Sequence, residues 1–354
     1  MNHIVLIGNG FDLAHGLKTS YIDFLTWYLK NIGEAVEEKQ YYEDDIISIS
    51  PNTNYAGISI FKNGELSNNP LEIFKKIENT IYAYNIHPEF INNLFSNIQE
   101  KRWVDIENSY YRNLISIFND ITKSSQNRTE DVAKLNLAFR FLKTKLIEYL
   151  KLQEKQSFLL NNDILLHLQN MSNELLNSDS IYFINFNYTS FIEKYFNEDK
   201  ISSKANQIKL INIHGLLNHK EENIIFGYGD ETDEHYEKLE KLQNKEYLKF
   251  IKSFGYAYTN NYQNLITYLG NPFKVHIFGH SCGLSDRVLL KEIFEHNNCY
   301  QIEMYYYQKD ENTNDFIDKY MDISNHFSMQ NKGKMRVRIQ ALENSKPLVN
   351  YIKK

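Results

Sequence analysis

The fold of this chain is decided at its start, by the stretch Ile4-Val5-Leu6-Ile7-Gly8-Asn9-Gly10-Phe11-Asp12-Leu13-Ala14-His15-Gly16. A continuous apolar run of this kind is typical of a strand buried on both faces of a parallel sheet. The run breaks at Gly-Asn-Gly and a helix pattern follows, a turn that brings backbone N–H groups within reach of phosphate oxygens. Because Leu13 stands where the dinucleotide fingerprint has a small residue, a tight turn without a ligand stays open as the alternative.

Length and composition fit two domains, or one domain with a large insertion. The chain has 354 residues, of which 42% are hydrophobic and 24% charged, with a formal net charge of −6. This acidic balance argues against a basic surface, so we expect no stable nucleic-acid binding. Cys282 and Cys299 are too few for a disulfide framework or a cysteine zinc site, and no metal is expected. With no leader-like or membrane-length apolar segment, we expect a cytoplasmic protein that does not bind membranes.

Strand and helix patterns alternate at both ends of the chain. They predict a doubly wound, mostly parallel, Rossmann-like α/β sheet, built from residues 1–30 and 177–350. Residues 31–176 are polar and irregular at first, and then carry apolar residues at helical spacing. This block is predicted to be a large all-helical insertion that serves as a lid or an assembly module. After the first strand, the predicted strands are 181–186, 208–213, 223–226, 274–278 and 301–306. The helices predicted between them are about 189–197, 233–253, 259–269 and 285–296.

Small and polar residues follow four of the predicted strands at the same position, their carboxyl ends. In a doubly wound sheet these ends lie along one edge, and ligands bind there. The sequence therefore predicts a nucleotide site at that edge. Its candidate residues are Gly8, Asn9, Gly10, Phe11 and Asp12 after the first strand, Asn187 and Tyr188 after the second, His214 and Gly215 after the third, and Gly279, His280, Ser281 and Asp286 after a later one.

These motifs resemble the AbiH family of bacterial abortive-infection, or anti-phage, proteins. The resemblance extends from the opening stretch, continued through Phe24, to four later elements, and it spans the chain. Those elements are Trp103-x-Asp105-x-Glu107, Asn185-Phe186-Asn187-Tyr188-Thr189, Ile213-His214-Gly215 and Phe278-Gly279-His280-Ser281-x-Gly283-x-Ser285-Asp286. The resemblance implies a defence effector that responds to a phage-derived trigger, and it leaves assembly into a homo-oligomer open.

The strand ends also resemble, in kind and in order, the sirtuin-like NAD-binding fold. The matching positions are Gly8, Gly10, Asp12 in place of a serine, Gly16, Leu17, Asn187, His214, Gly215, Gly279 and Ser281. The chain departs from that pattern at residues 18–21, at Thr189, and in having no four-cysteine zinc module. Protein deacylation is therefore not expected. The resemblance implies instead that NAD is the ligand or substrate, as in sirtuin-like defence proteins.

Cleavage of the nicotinamide–ribose bond passes through an oxocarbenium-like transition state, and its leaving group is already cationic. The site must therefore hold the pyrophosphate, orient the ribose and admit a water. We assign the pyrophosphate to Gly8 and Gly10. Asn187 is assigned to a water or a ribose hydroxyl, and His214 to general base catalysis. Asp12 is assigned to developing positive charge or to a ribose hydroxyl.

Each assignment has a structural alternative that the sequence leaves open. Asn187 fits a helix cap, and His214 fits a hydrogen-bonded structural histidine. Asp12 fits the acidic position favoured by a helix dipole. Ser281, assigned with Gly279 to a wall against the adenosine or phosphate, also fits an ordinary turn, and Asp286 fits a cap.

Trp103 and Glu107 share one face of a predicted helix, since they are four residues apart. The functional interpretation is a lid over the nucleotide, and the alternative is an ordinary, partly buried helix. The leading hypothesis for the whole chain is an NAD glycohydrolase that acts in phage defence. The alternatives are a non-catalytic nucleotide-sensing regulator and a nucleic-acid-cleaving toxin, the latter disfavoured because no cluster of carboxylates could hold a catalytic metal.

Overall fold

The structure is a computed structural model that describes residues 1–39, 41–49, 69–78, 81–84, 90, 94, 103–176, 179–196, 207–218, 220 and 223–351. The chain divides into two compact units. The first comprises Met1–Lys18, Leu150–Glu231 and Lys252–Lys354, and the second comprises Thr19–Tyr149 and Thr232–Ile251. Each unit is therefore built from more than one segment of the chain.

The strands and helices are as follows in chain order. The strands are β1 (Asn2–Ile7), β2 (Tyr42–Glu43), β3 (Ile47–Ile49), β4 (Ile81–Tyr84), β5 (Ser180–Asn185), β6 (Gln207–Asn212), β7 (Phe273–Phe278) and β8 (Cys299–Tyr305). The helices are α1 (Asn9–Ala14), α2 (Tyr21–Lys39), α3 (Pro70–Glu78), α4 (Trp103–Asn119), α5 (Ser125–Glu154), α6 (Asn162–Glu174), α7 (Tyr236–Lys241), α8 (Lys252–Gly255), α9 (Asn261–Tyr268), α10 (Arg287–Glu295), α11 (Phe316–Ser324) and α12 (Lys332–Arg338).

The first unit is built on a five-stranded parallel sheet, which confirms the predicted α/β class. Its strands lie in the order β6-β5-β1-β7-β8, and every neighbouring pair is parallel. The central strand is therefore β1. Ile7 at its end lies opposite Asn185 of β5 and Phe278 of β7. The three strands end together, so the residues that follow each of them are brought to one edge.

Both faces of β1 are covered, which explains its unbroken apolar run. Ile4 and Leu6 lie in one buried apolar cluster, together with residues of α10 such as Leu289. Val5 and Ile7 lie in a second cluster, together with residues of α6. All six residues of β1 are buried. The strand therefore exposes neither of its faces, and burial on both fixes it at the centre of the sheet.

The second unit is not all-helical, so that part of the prediction is wrong. It contains a three-stranded antiparallel sheet, β2-β3-β4. Asp44 forms the turn between β2 and β3, because its Oδ1 atom accepts hydrogen bonds from the backbone N–H groups of Ile46 and Ile47. Its Oδ2 atom accepts from the hydroxyls of Tyr28 and Tyr42. Strands of two to four residues are too short to show an alternating pattern in a sequence.

The other differences concern single elements. Residues 223–226 do not form the predicted strand, although the backbone N–H of Ile225 donates to the carbonyl of His214 at 2.9 Å. The helix predicted over 233–253 is broken into short pieces, since Gln243 has a positive φ of 55°. The part of the predicted irregular region that contains residues 50–68 lies outside the described residues. Among the residues that the structure describes, no helix combines the length and apolar character needed to cross a membrane.

The central position of β1 leads to a test with two leucines of the same segment. Leu6 is fully buried in β1, whereas Leu13 in α1 is 42% exposed. We expect Leu6→Ala to lower the free energy of unfolding by about 2–5 kcal/mol, because it leaves a cavity in the core. Leu13→Ala should change it by no more than about 0.5 kcal/mol. Urea denaturation followed by circular dichroism measures both, and equal losses would contradict the central placement.

Candidate functional site

Two glycine turns lie in direct contact at the carboxyl edge of the sheet. Gly8 and Gly10 follow β1, and Gly279 follows β7. A Cβ atom on Gly10 would lie 2.8 Å from the Cα atom of Gly279, and one on Gly8 would overlap the backbone of His280. Gly279 also has a φ of +71°, which strains any other residue. The close approach of two backbones therefore requires these glycines, independently of any ligand.

The backbone N–H groups of the first turn are engaged within the protein. Gly8 donates to the carbonyl of Phe278 at 3.1 Å, and Gly10 donates to that of Gly279 at 2.9 Å. Phe11 donates to the carbonyl of Gly8 at 2.9 Å. A phosphate group could use these three donors only by displacing a protein carbonyl. The predicted pyrophosphate cradle is thus present as a turn, but its donors already have partners.

Gly16, predicted as a binding residue, ends the short helix α1. Its φ is +74°, and its backbone N–H donates to the carbonyl of Leu13 at 2.9 Å. A residue in the left-handed region just past a helix is a common helix terminator. The backbone likewise explains why residue 215 is a glycine. Gly215 has a φ of +86°, and the carbonyl of Asn223 leaves no room for a Cβ atom. Both glycines therefore shape the backbone near the site.

Asp12, Asn187 and Thr189 form a buried group that we call the Asp12 cluster. The Oδ1 atom of Asp12 accepts from Asn187 Nδ2 at 2.9 Å, and its Oδ2 atom accepts from Thr189 Oγ1 at 2.7 Å. Asn187 Nδ2 also donates to the carbonyl of Gly8 at 3.1 Å. These bonds tie the β1 turn to the segment after β5. They use both N–H bonds of the Asn187 carboxamide and leave its Oδ1 atom to accept from a ligand.

The environment of Asp12 favours its protonated form. The side chain is 1% exposed, and burial raises the pKa of its carboxyl to about 7, against the opposing hydrogen bonds from Thr189 and Asn187. No cation is among the causes of this shift. A carboxyl that titrates near neutral pH is only partly ionised there. It is therefore a weaker stabiliser of positive charge than the sequence interpretation assumed.

Asp286, Lys252, His214 and His280 form a second buried group, the Asp286 cluster. The Oδ1 atom of Asp286 lies 2.8 Å from Lys252 Nζ and 3.2 Å from His214 Nε2. Its Oδ2 atom lies 3.5 Å from His280 Nε2. Although burial opposes ionisation, the charge of Lys252 holds the pKa of Asp286 well below its usual range. Sequence reasoning missed Lys252, because it lay at the end of a predicted helix and in no motif.

His214 has an acceptor beside each of its ring nitrogens. Its Nδ1 atom lies 3.2 Å from the carbonyl oxygen of Phe186, and its Nε2 atom lies 3.2 Å from Asp286, in a contact not aligned as a hydrogen bond. Burial, and then the charge of Lys252, lower the pKa of His214, so the ring is neutral at neutral pH. A neutral imidazole has one N–H for two acceptors. A proton taken up by Nε2 would therefore lie beside the Asp286 carboxylate, which attracts its charge.

His280 is held in one tautomer. The backbone N–H of Cys282 donates to His280 Nδ1 at 2.9 Å, so the ring proton of the neutral form lies on Nε2, facing Asp286. Phe186 packs between the two histidines, with its ring centroid 4.2 Å from that of His280 and 5.3 Å from that of His214. The segment after β5 thus supports both histidines of the Asp286 cluster.

The structure places the remaining candidates as follows. Tyr188 donates from its hydroxyl to the carbonyl of Ile225 at 3.0 Å, and Ser281 is half-buried in the turn after β7. Glu107 is buried within the second unit, and the side chain of Trp103 lies outside the described residues, so their role as a lid stays a prediction. Within the described ranges, no three histidine, cysteine or acidic side chains are grouped as metal ligands.

The fold and this site define an α/β protein with two buried acid clusters at the carboxyl edge of a parallel sheet. A family model described as "Bacteriophage abortive infection AbiH" matches residues 4–308. That match covers most of the chain, so the chain belongs to the AbiH family, and membership implies a role in phage abortive infection. No curated protein and no solved structure matches the chain.

The contact between the glycine turns can be tested by adding one methyl group. We expect Gly279→Ala to lower the free energy of unfolding by about 2–5 kcal/mol, because it combines a left-handed backbone with an overlap. Gly333→Ala in α12 is the matched control, since a Cβ there meets nothing within 4 Å. It should raise stability by about 0.5 kcal/mol. Urea denaturation measures the free energy of unfolding of both variants. A Gly279→Ala variant as stable as the wild type would contradict the close contact.

The pKa of Asp12 predicts a pH-dependent stability. The carboxyl titrates near 3.8 when unfolded and at about 7 when folded. Between these values the unfolded chain loses a proton that the folded chain keeps, so this group makes the protein less stable as pH rises. Its contribution is on the order of 4 kcal/mol. In Asp12→Asn the side chain cannot ionise. The free energy of unfolding of the wild type minus that of the variant, measured by urea denaturation, should therefore fall as pH rises between the two pKa values. A difference that does not change with pH would contradict the assignment.

Proposed function

We propose that this chain binds NAD or a related nucleotide at the carboxyl edge of its sheet and hydrolyses the nicotinamide–ribose bond. The observation that supports this most is the convergence of the motif residues. Asn187 contacts both Gly8 and Asp12, while His214 and His280 both face Asp286. Residues from four strand ends, far apart in the sequence, thus lie at one edge of the sheet, in two buried polar clusters.

The strand order supports a doubly wound, nucleotide-binding sheet. Counted along the chain within the sheet, the five strands lie in the order 3-2-1-4-5, which is that of dinucleotide-binding sheets. The order reverses beside β1, between β1 and β7. In such sheets the ligand occupies the crevice outside the strand ends at this reversal. The glycine turns that follow β1 and β7 are the ones that meet there.

The two clusters suggest how the reaction divides among the side chains. Nicotinamide leaves with the bonding electrons and loses its positive charge, so no general acid is needed. Asn187 Oδ1 accepts from the attacking water or a ribose hydroxyl. His214 takes the proton released by that oxygen on its Nε2 atom, after this atom has exchanged its contact with Asp286 for one with the substrate. The Phe186 carbonyl and the charge of the nearby Asp286 stabilise the imidazolium that forms. In the proposal Asp12 orients Asn187 and does not itself meet the substrate.

A second candidate function is a nucleotide sensor that does not cleave its ligand. The observation that favours it is that several hydrogen-bond donors and acceptors of the site already face other protein atoms. The N–H groups of Gly8 and Gly10 and both ring nitrogens of His214 face protein atoms. Catalysis would require at least one of these contacts to be exchanged when the ligand binds, whereas a sensor could use the same exchange as its signal.

The test is nicotinamide release from NAD by the purified full-length protein, with and without extract of phage-infected cells, measured by liquid chromatography. We expect release by the wild type. His214→Ala should lower the rate by about 10²–10⁴-fold, as expected for loss of a general base. Asn187→Ala should lower it comparably, because it removes the acceptor and loosens the β1 turn.

Matched controls are available in the same chain. His235→Ala and Asn344→Ala remove the same residue types outside the site, at a half-buried and an exposed position, and should leave the rate unchanged. Release that survives in both site variants would contradict the assigned roles. Tight NAD binding by calorimetry without release in any condition would favour the sensor. If the protein neither binds NAD nor releases nicotinamide, both candidate functions are ruled out.

A further inference from the structure

Lys252 lies within the Asp286 cluster, although no sequence motif marks it. Its side chain is 2% exposed, and its Nζ atom lies 2.8 Å from Asp286 Oδ1 and 3.4 Å from Ser285 Oγ. Lysine is almost never fully buried unless it is paired. Removing an ammonium group from water is costly, and the pair repays this cost only with close geometry. The position of this lysine therefore calls for a role that an apolar residue could not fill.

The backbone and the Cβ atom of Lys252 are held in place by neighbouring segments. Its backbone N–H donates to the carbonyl of Tyr228 at 2.8 Å. A Cβ atom on Gly229 would lie 3.3 Å from Lys252 Cβ and 2.6 Å from the carbonyl oxygen of Ser285. Gly229 in turn accepts a hydrogen bond from the backbone N–H of Val288 at 3.1 Å. The lysine is thus packed between the segment after His214 and the segment that carries Asp286.

The charges of the cluster balance only if Lys252 is counted. Asp286 is the carboxylate that His214 and His280 face, and the neighbouring Arg287 is paired with Asp230 at 2.9 Å. His280 also acts on His214 through its charge. The other described groups in contact with His214 are uncharged: the carbonyl of Phe186 and the rings of Phe186, Tyr188 and Tyr256. Lys252 is therefore the permanent cation beside Asp286. Without it, a proton on one of the two histidines would be the nearest compensating charge.

We propose that Lys252 is a positioning residue of this site: its ammonium group compensates Asp286, so that His214 remains a neutral imidazole able to accept a proton. The identity of the reaction rests on the proposed function, but the charge state of His214 exists without any ligand. A lysine that merely filled space would be replaceable by a neutral residue of the same length. A lysine in this role is replaceable only by another cation.

The consequence is a defined change in the variants. In Lys252→Met the stem remains and the charge is lost, so His214 should take up a proton and pair with Asp286. Burial, the charge of Lys252 and, to a smaller extent, His280 lower the pKa of His214 in the wild type, and the variant loses the contribution of Lys252 while the others remain. Its pKa should therefore rise. An enzyme that needs neutral His214 would then lose activity at neutral pH and recover it as pH increases.

The experiment is an NMR titration of the histidine side chains in the full-length protein. The signal of His214 is assigned from its loss in His214→Ala. In the wild type its midpoint should lie below that of a free histidine side chain, so that the ring is neutral at neutral pH. In Lys252→Met its midpoint should move up by about one pH unit or more, a tenfold gain in proton affinity. Lys252→Arg should behave as the wild type. So should the control Lys274→Met, which removes a lysine paired with Glu174 outside the cluster.

The outcomes separate this proposal from the proposed function. An unshifted His214 in folded Lys252→Met, or equal shifts in Lys252→Met and Lys252→Arg, would overturn it even if the wild type cleaves NAD. A shift of the His214 midpoint in Lys252→Met but not in Lys252→Arg supports the proposal even if no turnover of NAD is found. Lys252→Gln, which keeps a hydrogen-bond donor without the charge, replaces Lys252→Met if that variant does not fold. If only Lys252→Arg folds, the lysine serves stability alone and the proposal fails.

Discussion

The candidate site depends on one contact, that between the backbone of Gly8–Gly10 and the backbone of Gly279–His280. It leaves no space for a side chain on the facing surfaces, so the ends of β1 and β7 are held at a single distance. The Asp12 cluster is attached to the first turn through the Gly8 carbonyl, and the Asp286 cluster is attached to the second through His280. The geometry of both clusters therefore follows from two strands meeting without side chains between them.

The two clusters show how one residue type acquires opposite properties at one edge. Asp12 and Asp286 are both buried aspartates that accept hydrogen bonds or ion contacts. Burial without a cation raises the pKa of Asp12 to about 7, whereas Lys252 keeps the pKa of Asp286 well below its usual range. Environments that separate the pKa values of two acids are a recurrent feature of catalytic sites. One of these groups can hold a proton at neutral pH, and the other supplies a fixed negative charge.

The features that the sequence predicted correctly come from strong local patterns. The two-sided apolar run predicted the buried parallel strand β1, and the change from apolar to polar residues placed Asn187, His214 and Asp286 at one edge. Short strands such as β2 and β3 were missed, because two or three residues show no period. Lys252 was missed because its importance lies in a charge balance with Asp286, 34 residues away along the chain. Pairings of this kind depend on tertiary structure, and a single sequence does not encode them locally.

The central strand β1 also precedes both of its neighbouring strands along the chain. It pairs with Ser180–Asn185 and with Phe273–Phe278, so both of its edges stay unpaired until these much later segments have been synthesised. At about 5–20 residues per second, this delay is on the order of tens of seconds. During that time the nascent chain carries an apolar strand without neighbours, which makes chaperone protection valuable. Asp286 follows both partner strands along the chain, so the Asp286 cluster cannot assemble until they have been synthesised.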